Sequence, residues 1–99
     1  MSHRIDFSPE ALGDLIDLYD YIALHDGAER AIGYIERIEK CCQTLSVFPD
    51  RAITRDDLHP GLRVLGFERR AVIAFQITAD AVIILRILYG GRRLETVFR

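Results

Sequence analysis

Arginine side chains dominate the chemistry available to this chain. Twelve of its thirteen cationic residues are arginines. Residues 1–50 hold four cations against ten carboxylates, a net charge of −6, whereas residues 51–99 hold nine arginines against five carboxylates, a net charge of +4. Because a guanidinium binds carboxylate or phosphate through two parallel hydrogen bonds, the second half suits an anionic partner. The same arginines could instead pair with acidic residues of the first half.

The histidines and cysteines form no pattern that indicates a metal, a cofactor or a nucleophile. The three histidines, far apart in the sequence, are His3, His25 and His59. Cys41 and Cys42 are neighbours, and adjacent helical side chains point in different directions, so we expect one to be packed and one to lie near the surface. The segment Gly90-Gly91-Arg92 lacks the spacing of a phosphate-binding loop and predicts a flexible turn. We therefore expect no metal and no cofactor.

Length and composition limit the class of protein that must position these groups. The chain has 99 residues, of which 49% are hydrophobic and 28% are charged, values typical of a globular protein. We expect one domain, residues 1–99. No apolar run is longer than Ala81–Leu85, which is far shorter than the roughly 20 residues that cross a bilayer, and the N-terminus lacks a signal-peptide pattern. These features predict a cytoplasmic protein with no membrane association.

The first half of the sequence predicts a short strand and a helix. His3–Phe7 suits the strand, and Ser8 followed by Pro9 suits the start of the helix. The carboxylates Glu10, Asp14 and Asp17 form a row that we expect to face solvent. The expected buried stripe of this helix is Leu12, Leu15, Ile16, Tyr19, Ile22 and Ala23.

A second helix should follow at once, giving a helical hairpin. Asp26 and Glu29 have the spacing of a capping box, and Phe48-Pro49 should end the helix. The segment from Asp50 to Gly61 is polar and predicts a loop of about twelve residues. The expected buried stripe of the second helix is Ala28, Ala31, Ile32, Ile35, Ile38, Cys42 and Leu45.

From Leu62 the pattern changes to the two-residue period of strands. Leu62–Phe67, Arg70–Thr78 and Ala81–Tyr89 are separated by two-residue joins, which predict an antiparallel meander. The expected fold is therefore α+β: a strand, a helical hairpin and a three-stranded antiparallel meander.

The last of these strands is apolar at odd and even positions alike. Ala81–Tyr89 should therefore bury one face against the helices and still require cover for the other. We hypothesise that a partner polypeptide, a second copy of the chain or the chain's own tail provides it, and we favour a partner. A central strand covered on both faces within its own fold is the alternative.

Several segments together resemble the ParE branch of the ParE/RelE superfamily of type II toxin-antitoxin toxins. They are Phe7-Ser8-Pro9-Glu10-Ala11, Leu45 to Pro49, Gly61-Leu62-Arg63 and the long run Ile83 to Arg93. The last is the most specific, since it resembles the family's apolar strand followed by a tail rich in glycine and arginine. Phe75 stands where the family commonly has tyrosine, and Tyr89 where it commonly has histidine.

The resemblance implies a RelE/ParE-like fold and a toxin that arrests growth and stabilises plasmids. It implies a ParD-like antitoxin that wraps the toxin with its C-terminal region and binds operator DNA with its N-terminal region. It implies DNA gyrase as the target, inhibited by protein binding rather than by catalysis. The candidate contacts for antitoxin or target are Arg63, Arg86, Tyr89, Arg92 and Arg93.

RelE-like relatives suggest an alternative, the ribosome-dependent cleavage of messenger RNA. That chemistry needs a general base for the 2′-hydroxyl and a cation for the phosphate. Arg92 and Arg93 could hold phosphate, but the single lysine, Lys40, lies on a predicted helix and the predicted strands of the meander lack histidine. Phe98 lies about where a tyrosine would be needed, and a phenyl ring cannot transfer a proton. The sequence therefore favours a non-enzymatic protein, with an endoribonuclease as the alternative.

Overall fold

The computed structural model describes residues 3–98, in which two helices pack against one face of a five-stranded sheet. The strands are β1 (Arg4–Phe7), β2 (Ile53–Thr54), β3 (Arg63–Phe67), β4 (Ala71–Ile77) and β5 (Ala81–Tyr89). The helices are α1 (Pro9–Asp26), α2 (Ala28–Thr44) and the short α3 (Leu94–Val97). The sheet order is β1-β5-β4-β3-β2, with β1 parallel to β5 and the other pairs antiparallel. The predicted α+β class, with a helical hairpin and a meander, is confirmed.

Ser8 joins the first strand to the first helix and also extends the sheet. Its hydroxyl accepts a hydrogen bond from the Ala11 N–H at 3.0 Å, which caps α1 as predicted. The same hydroxyl donates to the Leu85 carbonyl at 2.8 Å, and the Ser8 N–H donates to the Ile84 carbonyl at 2.9 Å. The start of α1 is therefore held against β5, just beyond the point where β1 ends.

A single glycine separates the two long helices, and the predicted capping box does not form. Asp26 is the last residue of α1, and Gly27 is both the C-cap of α1 and the N-cap of α2. Gly27 has φ of 97°, a conformation that strains any residue with a Cβ. The reversal needs only this one residue, so Asp26 remains in the first helix and makes no side-chain cap for the second.

The buried stripe of α1 is rotated relative to the prediction. Leu12 and Ile16 are exposed, whereas Asp14, expected to face solvent, is buried. The buried positions of α1 are Ala11, Asp14, Leu18 and Ile22. The contacts that Asp14 makes with β5, described below, account for this rotation.

The second helix differs in a similar way at two predicted positions, Ala28 and Ile32, and Ala28 is exposed at the start of the helix. Tyr34 is buried and Ile32 is half-exposed, whereas the prediction had placed Ile32 in the core. Cys42 is buried and Cys41 is intermediate, as predicted. Burial raises the pKa of the Cys42 thiol to about 12, so this side chain behaves as an apolar packing group at neutral pH.

The connection predicted as a loop contains regular structure. It includes a 3-10 turn at Pro49–Arg51 and the two-residue strand β2, which pairs with β3. The following turn is closed by the Arg55 N–H, which donates to the Leu62 carbonyl at 2.8 Å, and by the Gly61 N–H, which donates to Asp56 Oδ1 at 2.8 Å. Backbone pairing missed by the polarity pattern therefore adds a strand to the sheet.

The face of the sheet opposite the helices is covered in part by the chain itself. Ala74 and Leu88 alternate with residues of the helix-facing core, and both are buried. Near them, Leu85 lines a cavity of about 270 Å³ together with loop and tail residues, namely Leu58, His59, Val97 and Phe98. The chain's own loop and tail therefore supply part of the cover that β5 was expected to need, and further cover by a partner polypeptide stays a prediction.

Candidate functional site

The buried carboxylate of Asp14 connects α1 to the end of β5. Arg86 donates to both of its oxygens, from Nε and Nη2, each at 2.8 Å. The Ile87 backbone N–H donates to Asp14 Oδ2, also at 2.8 Å. Asp14 therefore accepts a backbone hydrogen bond that a neighbouring strand would otherwise accept, on the part of β5 that extends beyond β1.

A local irregularity of the sheet lies at the same place. The register between β4 and β5 shifts between Ala74 and Phe75, which pair with Arg86 and Ile84 and leave Leu85 without a counterpart. Such a bulge redirects side chains at the end of a strand. Here Arg86 reaches the helix, and the hydrogen bond to Asp14 raises the pKa of its guanidinium above the usual value.

Tyr89 separates two clefts at the end of β5. It lines a cavity of about 280 Å³ together with Asp14, Asp17 and Arg92. It also lines a cavity of about 500 Å³ between the helices and the end of the meander. Its ring packs edge-on against Tyr21 and Tyr34, with centroid distances of 5.7 Å for each, which fixes the half-buried side chain between the clefts.

The two tail arginines differ in their contacts. Gly90 and Gly91, with φ of 70° and 87°, turn the chain away from β5. Arg92 then reaches back to the first cleft, where its Nη1 lies 3.6 Å from Asp14 Oδ1. Arg93 is highly exposed and lies 3.8 Å from a carboxylate oxygen of Glu95 in its own helix, α3.

Of the five predicted contact residues, the structure brings together Arg86, Tyr89 and Arg92. Arg63 lies elsewhere, on β3, where it donates to Asp50 Oδ1 at 3.2 Å. Arg93 does not contact Asp14 in the described part of the chain. Arg99, one of the nine arginines of the second half, lies outside the described residues.

The sequence interpretation missed Asp14, although two signals were present. Ala11, Asp14, Leu18 and Ile22 have the three- and four-residue spacing of one helical face. Arg86 interrupts an apolar strand, and a cation in such a strand requires a nearby carboxylate. Combining the two signals would have placed Asp14 against β5.

A second arrangement that sequence reasoning missed lines the larger cleft. Arg37 donates to both oxygens of Glu68, at 2.8 and 3.1 Å, and its guanidinium lies 5.3 Å from the ring centroid of Tyr34. Glu68 and Arg69 form the turn between β3 and β4, both with positive φ, so the ion pair ties this strained turn to α2. The Tyr34 hydroxyl is buried and has no hydrogen-bond partner among the described residues, and burial raises the pKa of Tyr34 to about 12.

Comparison with known proteins identifies the family to which this architecture belongs. Residues 5–94 match the family model described as the ParE toxin of the type II toxin-antitoxin system, parDE. The chain belongs to the ParE toxin family. It is 34% identical over 82 residues to Toxin ParE3 of Caulobacter vibrioides, across 83% of this chain and 81% of that protein.

A solved structure agrees with this assignment. The chain superposes on a chain of the chromosomal ParDE TA system from P. aeruginosa with a TM-score of 0.78 and 25% sequence identity. The superposition covers 89% of this chain and 96% of that one. The chain is therefore a ParE-type toxin with the RelE/ParE-like fold.

Within residues 3–98, no helix is both long enough and apolar enough to span a bilayer.

Proposed function

We propose that this ParE family toxin inhibits DNA gyrase by protein binding and is neutralised by a ParD-like antitoxin. Family membership supports the toxin role, and the similar ParDE structure supports an antitoxin partner. The observation that carries the proposal is the cluster at the end of β5, where Arg92 and Tyr89 border a cleft of about 280 Å³. A cleft with a partly exposed guanidinium and an aromatic wall suits an acidic segment of a partner protein.

The helical hairpin offers the antitoxin an apolar surface. Leu12 and Ile16, four residues apart on α1, are half-exposed or more, and Ile32 on α2 is half-exposed. Side chains at this spacing receive the apolar face of an amphipathic segment. An antitoxin laid along the hairpin would bury them.

The charges around these two surfaces constrain the antitoxin sequence. Exposed carboxylates, including Asp17 and Asp20, lie beside the apolar residues of α1. A complementary segment is therefore basic where it covers the hairpin and acidic where it meets Arg92 and Arg93. The operator DNA contacts belong to the antitoxin, since the toxin carries a net charge of −2.

The antitoxin part of the proposal is tested with the protein encoded beside this chain. We expect the product of the neighbouring reading frame to bind the purified chain, and Ile16→Asp to weaken binding about tenfold or more, because burying a large aliphatic side chain contributes about 1.5–3 kcal/mol. Ile53→Asp is the matched control, since Ile53 is an exposed aliphatic residue on β2, the edge strand farthest from β1 in the sheet order. Equal effects of both substitutions would remove the hairpin from the interface.

The target is tested by two assays of the same purified chain. We expect inhibition of gyrase supercoiling and no cleavage of ribosome-bound messenger RNA. His59 borders the cleft over Leu85, but its neighbours there, including Phe98, are apolar and cannot exchange protons. Codon-positioned cleavage that is lost in His59→Gln, with gyrase unaffected, would replace the proposal with the nuclease alternative.

A further inference from the structure

Two guanidinium groups face the single carboxylate of Asp14. Arg86 occupies both oxygens through hydrogen bonds of 2.8 Å, and the Ile87 N–H adds a third at 2.8 Å. Arg92 Nη1 lies 3.6 Å from Oδ1, which is an ion-pair distance rather than a hydrogen-bond distance. The charge of Asp14 is therefore matched by Arg86, and Arg92 is a surplus cation held by attraction alone.

The backbone before Arg92 does not fix the direction of the Arg92 side chain, so contacts such as the one with Asp14 determine it. Gly90 and Gly91 precede it, both with positive φ and neither with a side chain that could pack. On the far side of Arg92, Glu95 lies 3.6 Å from Arg55 Nη2 and anchors the start of α3 to the connection between β2 and β3. Residues 91–93, which precede α3, are exposed. Among the described ion pairs, the one between Arg92 and Asp14 joins this segment to α1.

We propose that Asp14 is a positioning residue for the tail. Its negative charge holds Arg92 over the cleft beside Tyr89, where the guanidinium can exchange Asp14 for a carboxylate of the toxin's protein target. Arg86, by contrast, secures Asp14 and is not available to the partner. The role in binding rests on the proposed function, whereas the hold of Asp14 on Arg92 is a property of the chain alone.

A merely structural role of Asp14 makes a different prediction. If Asp14 served only to join α1 to β5, its loss and the loss of Arg92 would weaken toxicity independently, because separate effects add in free energy. If Asp14 acts through Arg92, removing Arg92 has no further effect once the charge of Asp14 is gone.

The test compares Asp14→Asn, Arg92→Gln and the double variant, with growth arrest on induction of the full chain as the readout. Asparagine keeps the shape of aspartate but not the charge. We expect each single variant to require at least about fivefold more inducer for the same growth arrest. The double variant should require as much inducer as Asp14→Asn. Arg92→Lys should restore part of the arrest, and Asp20→Asn, an exposed carboxylate on the same helix, is the control. Effects that multiply in the double variant would overturn the proposal.

Nuclear magnetic resonance of the unmodified chain gives a readout that needs neither variant nor target. The guanidinium resonances of Arg92 should differ from those of exposed Arg30, which is in none of the ion pairs of residues 3–98, and should move towards them in 1 M salt, which screens an ion pair. Coincident resonances at low salt would overturn the proposal even if Asp14→Asn failed to fold. A chain that shows the shifted resonance but causes no growth arrest would contradict the proposed function and leave the positioning role intact.

Discussion

Two ion pairs of this toxin share one geometry in different surroundings. Asp14 and Arg86 join α1 to β5, and Glu68 and Arg37 join the β3–β4 turn to α2. Both are two-pronged, with contacts between 2.8 and 3.1 Å. The Asp14 and Arg86 side chains are 4% and 21% exposed, whereas Glu68 and Arg37 are 42% and 53% exposed.

The comparison teaches that distance alone does not give the strength of an ion pair. Water and salt screen the exposed pair of Arg37 and Glu68, here called the outer pair, so removing one partner leaves a charge that water can solvate. The pair of Asp14 and Arg86, here called the inner pair, is shielded from water, so removing Arg86 leaves a buried carboxylate without its main partner. The inner pair is therefore the stronger constraint on the fold, although replacing both partners together would cost far less than removing one.

The largest expected effect follows from breaking the inner pair. Arg86→Leu should lower the free energy of unfolding by about 3–5 kcal/mol, because the Asp14 charge stays buried and only Arg92 remains nearby. Urea denaturation followed by circular dichroism measures this change.

The matched control for that substitution removes both charges. Asp14→Leu combined with Arg86→Leu should recover more than half of the lost stability, leaving mainly the unpaired Ile87 N–H. A double variant as unstable as Arg86→Leu alone would show that packing, rather than the uncompensated charge, dominates the inner pair.

The outer pair should show its effect through pH. The hydrogen bond from Arg37 lowers the pKa of Glu68 below its ordinary value of 4.5. A lowered pKa contributes stability that is present above pH 4.5 and is lost as the pH falls through the folded-state value. The stability difference between wild type and Glu68→Gln should therefore be small at pH 7 and should close below pH 4.5.

Salt provides the check on that result. In urea denaturation at pH 7, 1 M salt should reduce the effect of Glu68→Gln much more than the effect of Arg86→Leu. Equal salt sensitivity of the two variants would contradict the distinction between an exposed and a buried pair.

The smallest expected effect concerns the tyrosine beneath the outer pair. The Tyr34 hydroxyl is buried with no hydrogen-bond partner in the part of the chain that the structure describes, so Tyr34→Phe should leave stability unchanged or raise it slightly. Burial raises the pKa of Tyr34 to about 12, so the unfolded chain ionises first above pH 10 and the stability of the wild type falls as the pH rises from 10 through 12. Thermal denaturation at pH 8 and at pH 11 should show a smaller pH dependence in the variant. A clear loss of stability at pH 8 would indicate a bound water that satisfies the hydroxyl.

The order of the main elements could be predicted because their signals are local. The two-residue joins on either side of the middle strand, the Ser8-Pro9 start and the apolar run of β5 each indicated an element within a few residues of its observed bounds. β2 gave no such signal, because a two-residue strand has no period and exists only through pairing with β3.

The candidate site could be predicted only in part, because its central residue is defined by tertiary contacts. Arg86, Tyr89 and Arg92 are close in sequence, so a single motif indicated all three. Asp14 lies 72 residues from Arg86, and in a row of carboxylates nothing local distinguishes a buried member from its exposed neighbours. Only the rotation of α1 about its axis, which its packing against β5 determines, decides which carboxylate of the row is buried.

The pairing of β1 with β5 has a consequence for synthesis of the toxin. Arg4 lies beside Ala81, so the N-terminal strand has no place in the sheet until β5 has left the ribosome. A message that ends early yields the hairpin without the strand that supports it. A chain that ends before β5 therefore lacks the partner of β1 together with Arg86 and Tyr89, so we expect such a fragment to form neither the complete sheet nor the cluster at the end of β5.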